Sequence, residues 1–188
     1  MIQSLYIKNM VCDRCIKVLK TEIQSNTIDL LEIELGRITL NINSDTELER
    51  LKNVLKINGF ELIDTPDGKL TEDVKINLIK LMENLPIDLE KNLSAYLSSL
   101  MHRDYSKMSK VFSTTEGLTI EKYFIKLKIE KVKELIQMQR YNFTQISQLL
   151  DYNHINHLSR QFKNETGMSL SKYKSEQKNF RNPLDKII

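Results

Sequence analysis

Six positions of a twelve-residue stretch return, in register, fifty residues later. Phe112-Ser-Thr-Thr-Glu-Gly117-Leu-Thr119-Ile120-Glu-Lys122-Tyr123 recurs as Phe162-Lys-Asn-Glu-Thr-Gly167-Met-Ser169-Leu170-Ser-Lys172-Tyr173, keeping Phe, Gly, a hydroxyl, an aliphatic, Lys and Tyr. The agreement runs backwards through Met108 and Leu158, Ser109 and Ser159, Lys110 and Arg160. A duplication of this kind restricts the fold, because each copy must be one supersecondary unit. Both copies read as helix, short polar turn, helix. In the first, Leu93–Met101 precedes His102-Arg103-Asp104 and a helix from Tyr105 to Ser113. In the second, Phe143–Leu150 precedes Asp151-Tyr152-Asn153 and a helix from His154 to Asn164. Small Ser98 and Ser147 stand where the paired helices must approach, and Asp104 and Asn153 are the expected caps of the second helices. A helical stretch from Ile120 to Gln139, about 30 Å long, joins the copies. This is the grammar of tandem helix-turn-helix units, whose second helices enter the DNA major groove.

The residues expected on the outer faces of those second helices are hydrogen-bonding types. They are Ser106, Lys107, Ser109 and Lys110 in the first, and Asn156, His157, Arg160 and Lys163 in the second. Arg and Lys can pair with guanine, Asn with adenine, and Ser with several base edges. A solvated helix face looks the same one unit at a time; the tandem arrangement favours DNA. Charge agrees: residues 1–69 carry nine Lys/Arg against eleven Asp/Glu, whereas residues 70–188 carry nineteen against fourteen. His154 and His157 are spaced like metal ligands, but their place favours DNA contact or plain exposure. Aromatic Tyr96, Tyr123, Phe124, Tyr173 and Phe180 are expected in the helical core.

The front of the chain follows another pattern. Leu5-Tyr6-Ile7 leads into the only two cysteines, Cys12 and Cys15, and then into a helix with Ile16, Leu19 and Ile23 on one face. Leu31–Leu35 and Ile38–Ile42 alternate as strands about Gly36-Arg37, a hairpin. A helix from Thr46 to Asn58 ends at Gly59, before a last strand, Phe60–Ile63. The order is βαββαβ, an antiparallel sheet with two helices on one face. Asp64–Lys69, with Pro66-Asp67-Gly68, reads as a turn and linker, and Thr71 as the cap of the next helix. The fold class is therefore α+β: a ferredoxin-like domain over 1–65, a linker over 66–71, an all-α domain with two helix-turn-helix units over 72–176, and a tail over 177–188.

Residues 72–175 resemble the DNA-binding domain of the AraC family of transcription regulators. The resemblance rests on Phe112, Gly117 and Tyr123, on Ile129–Ile136, and above all on His157–Tyr173. It implies base-facing roles for Ser106, Ser109, Lys110, Ile155, Asn156 and Arg160. Asp151 stands where that family has glycine, at a turn position that suits a left-handed backbone. Met10-Val11-Cys12-Asp13-Arg14-Cys15, with Gly59-Phe60, resembles the metal-binding loop of heavy-metal-associated domains, except that Asn9 replaces a glycine. That likeness implies Cys12 and Cys15 as thiolate ligands of Cu(I) or another soft ion. The first helical turn, Arg14 and Lys17 are expected to favour thiolate. A reversible disulfide and a purely structural role stay open beside metal binding.

Among function classes, no phosphate-cradling loop, nucleophile–base pair or paired catalytic carboxylate setting is visible, so no enzyme is expected. No apolar run reaches the length of a membrane span, and two cysteines give no disulfide framework, which points to the cytoplasm. The expected function is sequence-specific DNA-binding transcription regulation, modulated at the front domain by a soft metal or thiol redox state. Double-stranded DNA is the expected partner, with a metal ion and a homodimer as further candidates and no membrane. The rival is a metal carrier whose helical domain docks on a protein.

Overall fold

Alternation in the front third produces the expected sheet. In the computed structural model, which describes residues 1–89, 92–176 and 181–187, β1 (Ile2–Lys8) is followed by α1 (Asp13–Ser25). Next come β2 (Asp29–Glu34), β3 (Arg37–Asn41), α2 (Asp45–Ile57) and β4 (Glu61–Ile63). The strand order is β2-β3-β1-β4, antiparallel throughout. Ile7, Ile38 and Leu40 bury one sheet face against Leu19 and Ile23 of α1 and Leu51, Val54 and Leu55 of α2. Side chains two apart share a face, so Tyr6, Arg37 and Ile63 fall on the other. Ser44 caps α2 by accepting from the Glu47 N–H, and Gly59 follows in the left-handed region, with φ of 80°.

Asp64–Lys69 departs from the turn and linker expectation. Helix α3 runs over Pro66–Glu83, so residues 66–71 are its first turns. Thr65, not Thr71, serves its start: the Thr65 hydroxyl accepts from the Gly68 N–H, and its carbonyl accepts from the Lys69 N–H. Pro66 fits the first helical position, where no N–H is needed. The chain divides into two compact units, Met1–Ile76 and Asn77–Ile188, at a point inside α3. The part of α3 within the first unit lies against the second sheet face. Asp73 is 3.6 Å from Arg37, and Lys69 stands over the Tyr6 ring. Gly68 passes so close to Ile63 that an added Cβ would come within 2.7 Å of its Cγ2.

The second unit is helical. The remainder of α3 buries Leu78, Ile79 and Met82. Then come α4 (Leu93–Met101), α5 (Tyr105–Glu116), α6 (Ile120–Gln137), α7 (Phe143–Leu149), α8 (Ile155–Thr166) and α9 (Leu170–Glu176). At 18 residues α6 spans about 27 Å, a little short of the expected length. A short 3-10 turn covers Leu184–Lys186. Among the described residues, no helix is long and apolar enough to cross a membrane.

Candidate nucleic-acid interface and the cysteine loop

The sequence repeat becomes a repeat of contacts. Phe112 and Tyr123 are fully buried with ring centroids 5.6 Å apart, and Phe162 and Tyr173 repeat the pair at 5.5 Å. Gly117 ends α5 with φ of 73°, and Gly167 ends α8 with φ of 72°. Thr119 accepts from the Lys122 N–H, as Ser169 does from the Lys172 N–H. Each copy thus uses an aromatic pair to hold its second helix against the helix that follows. Tyr123, Phe124 and Tyr173 are buried as expected, Tyr96 is only half-buried, and Phe180 lies outside the described residues.

Both second helices face outward along the stripe expected to be polar. In α5, Met108 and Phe112 point inward, while Ser106, Lys107 and Lys110 are exposed and Ser109 is half-buried. In α8, Leu158 and Phe162 are buried, while Asn156, His157, Arg160 and Lys163 are exposed and Ile155 is half-buried. Asn156, Arg160 and Lys163, at i, i+4 and i+7, lie on one stripe. Asp104 caps α5 by accepting from the Lys107 N–H at 2.9 Å. The cap of α8 is His154 rather than Asn153: its Nδ1 accepts from the Asn156 N–H at 3.1 Å. That use of the ring separates His154 from His157, whose imidazole meets the Tyr152 ring edge-on at 5.5 Å.

The turns differ. His102 and Asp151 both adopt left-handed backbone, with φ of 51° and 55°, so Asp151 takes the conformation that glycine would take without strain. Ser147 is buried beneath the second turn, and its carbonyl accepts from the Tyr152 N–H. Two fastenings escape sequence reasoning. The Tyr105 hydroxyl at the start of α5 donates to Glu121 in the first turn of α6. Burial, then this hydrogen bond, pushes the Tyr105 phenol far above its usual range. The Tyr152 hydroxyl donates to Gln161 of α8 at 2.6 Å.

The cysteine loop is a separate feature of the first unit. Asn9 has φ of 71°, a left-handed position that asparagine tolerates better than most residues, and its side chain donates to the Gly59 carbonyl. Met10 and Val11 are buried and anchor the loop. Cys12 precedes α1, Cys15 lies in its first turn, and their half-buried sulfurs are 3.0 Å apart. The environment does not favour thiolate at Cys15: burial, then the contact with Cys12, pushes its pKa up to about 11. Desolvation outweighs the backbone hydrogen bonds from Val11 and Cys12, which favour thiolate. Among the described residues no group of three His, Cys, Asp or Glu side chains could hold a metal ion. The donor set is two sulfurs, which suits two-coordinate binding of a soft ion and not a closed tetrahedral zinc site.

Residues 97–176 match a family described as a helix-turn-helix domain. No curated protein matches the chain. Among solved structures, the C-terminal domain of AraT, a response regulator from Geobacillus stearothermophilus, is similar in fold. It is 12% identical with a TM-score of 0.52, over 63% of this chain and 95% of that one. A DNA-binding transcriptional dual regulator from Escherichia coli K-12 is 13% identical with a TM-score of 0.49, over 57% of this chain and 91% of that one.

Proposed function

We propose that this protein is a sequence-specific DNA-binding transcription regulator of the AraC type. The observation that carries the reading is the duplication within the matched helix-turn-helix domain: two second helices on equivalent scaffolds, each turning a polar, partly cationic stripe to solvent. Lys107 and Lys163 neutralise phosphates in this reading, and Lys110 reaches base edges. Ser106, Ser109, Ile155, Asn156, His157 and Arg160 meet the groove. The Geobacillus neighbour is itself the C-terminal domain of a response regulator. The test is to select duplexes with the full chain and titrate the best of them across salt. Affinity should fall linearly on a log–log scale, with a slope set by the phosphates neutralised. Arg160→Ala should cost ~1–3 kcal/mol and relax preference at one base pair. A flat salt response would overturn the reading.

A second element concerns the front domain. Cys12 and Cys15 stand close enough to share one soft ion or to be oxidised to a disulfide, and we propose that this event modulates DNA affinity. A two-coordinate ion would take both sulfurs as thiolates and so displace their protons. Anaerobic Cu(I) titration against a chelator should give one-to-one binding that Cys12→Ser/Cys15→Ser abolishes. No competition with the chelator would remove the metal branch and leave thiol oxidation to be scored by DNA affinity with and without reductant.

A further inference from the structure

Helix α6 sends one cation into the interior of the second helix-turn-helix unit. Lys128 is only 8% exposed, and its Nζ lies 4.6 Å from the centroid of the Tyr152 ring and 5.0 Å from that of Phe124. Tyr152 belongs to the turn between α7 and α8. The residue before it, Asp151, holds its left-handed backbone there and is the opposite charge acting on Lys128. The rest of Tyr152 is committed to α8, through the hydrogen bond to Gln161 and the edge-on contact with His157. One aromatic ring therefore stands between a buried ammonium and a side chain assigned to DNA.

For stability alone, lysine is a poor choice at this place. Burial lowers its pKa from 10.5 to about 8, with attraction to Asp151 opposing the shift. A methionine would fill similar space without desolvating a charge, and such replacements are often neutral or stabilising. What a cation adds is orientation, since it holds the faces of two rings and one carboxylate in a fixed relation.

We propose that Lys128 is a positioning residue for DNA reading by α8: its ammonium, held by Phe124 and Tyr152 and attracted by Asp151, fixes the Tyr152 ring and through it His157 and Gln161. The proposal rests on α8 being a DNA-reading helix, as argued above. The titratable groups facing the ammonium are Asp151 and Tyr152 in the turn, with His157 and Glu165 of α8 on the side of the Tyr152 ring. Burial first, and Glu165 second, push the Tyr152 phenol far up, so it keeps its proton near pH 8. Two consequences have opposite signs. Because the folded-state pKa is lowered, the desolvation penalty is present in full below about pH 8 and is relieved as pH rises towards 10.5, so folding stability increases across that window. DNA affinity decreases as pH passes through about 8, because the neutral amine no longer holds the ring.

The test uses the full chain and a duplex recovered by in vitro selection with it. DNA affinity and thermal unfolding are measured for wild type, Lys128→Met and Lys128→Arg between roughly pH 6.5 and 9.5. Wild-type affinity should fall about fivefold to tenfold past pH 8. Lys128→Met should bind about tenfold more weakly at neutral pH, with no such step, yet melt no lower than wild type. Lys128→Arg stays charged and stacks on aromatic faces, so it should keep affinity near that of wild type and lose the step. Wild-type affinity in Lys128→Met at neutral pH, or a step that persists in Lys128→Arg, would overturn the proposal. Joint loss of stability and affinity in Lys128→Met, unrescued by Lys128→Arg, would reduce the residue to packing. If no duplex can be recovered, DNA binding itself falls and this proposal falls with it.

Discussion

Removing one ring from one copy of the repeat tests whether the duplication is energetic as well as geometric. Phe162 is completely buried and meets Tyr173 nearly perpendicular, at 77° and 5.5 Å. Truncation of a buried Phe to Ala costs ~3–5 kcal/mol, transfer and cavity together. The edge-to-face contact adds ~0.5–1.5 kcal/mol beyond area, which places Phe162→Ala at about 5 kcal/mol. A domain is commonly stable by ~5–15 kcal/mol, so the variant should fold with a much reduced margin. Phe112 provides the internal comparison, being equally buried and 5.6 Å from Tyr123, though tilted at 46°. The two losses should agree within about 1 kcal/mol. Urea titration followed by far-ultraviolet circular dichroism measures both, provided the slope is unchanged, so that the midpoint shift reports stability. A loss below about 1.5 kcal/mol at Phe162 would show that the site collapses around the deletion and that the aromatic pair is not what holds α8.

Three further outcomes follow from single contacts. Gly36→Ala should destabilise by about 2–3 kcal/mol in a melt, because its Cβ would come within 2.1 Å of Ile76 Cδ1 at φ of 68°. Gly59→Ala, with similar φ and open space around it, should cost only about 1 kcal/mol; equal losses would refute the clash. Asp104→Ala should cost about 1 kcal/mol through the lost cap of α5 and Asp104→Asn almost nothing, by thermal unfolding. Iodoacetamide should modify Cys15 slowly near pH 8 and about tenfold faster per pH unit up to its pKa of about 11; a rate that levels off below about pH 9 would contradict the buried thiol.

Much of the architecture is readable from local pattern. The βαββαβ order follows from alternation and helical spacing, and the tandem helix-turn-helix units follow from Phe, Gly and Tyr recurring in register. The errors sit where one local motif serves two ends. Pro-Asp-Gly marks a turn, but Thr65-Pro66 is also a helix start, and the chain there packs on Ile63 of β4, a contact that no local pattern announces. His154 takes the cap expected of Asn153 because an imidazole nitrogen accepts as an amide oxygen does. Polarity along α5 and α8 shows which face is wet, while Tyr105–Glu121 and Lys128–Tyr152 join elements whose proximity no spacing announces. The sulfur environment fails for the same reason: neighbours in sequence argued for thiolate, and burial in space argues for thiol.

The opening turns of α3 determine where this chain can be cut or grafted. A fragment ended at Thr65, where composition marks the joint, would bare Tyr6 and Ile63, strip Arg37 of Asp73, and remove the Ile76 side chain that occupies the space beside Gly36. A fragment carried on to Ile76 keeps that sheet face covered. Any recombination that moved this front module to a new host would therefore have had to carry residues 66–76 with it. The helix belongs to the module's inheritance, and fusions designed at the apparent linker should aggregate where those ended after Ile76 stay in solution.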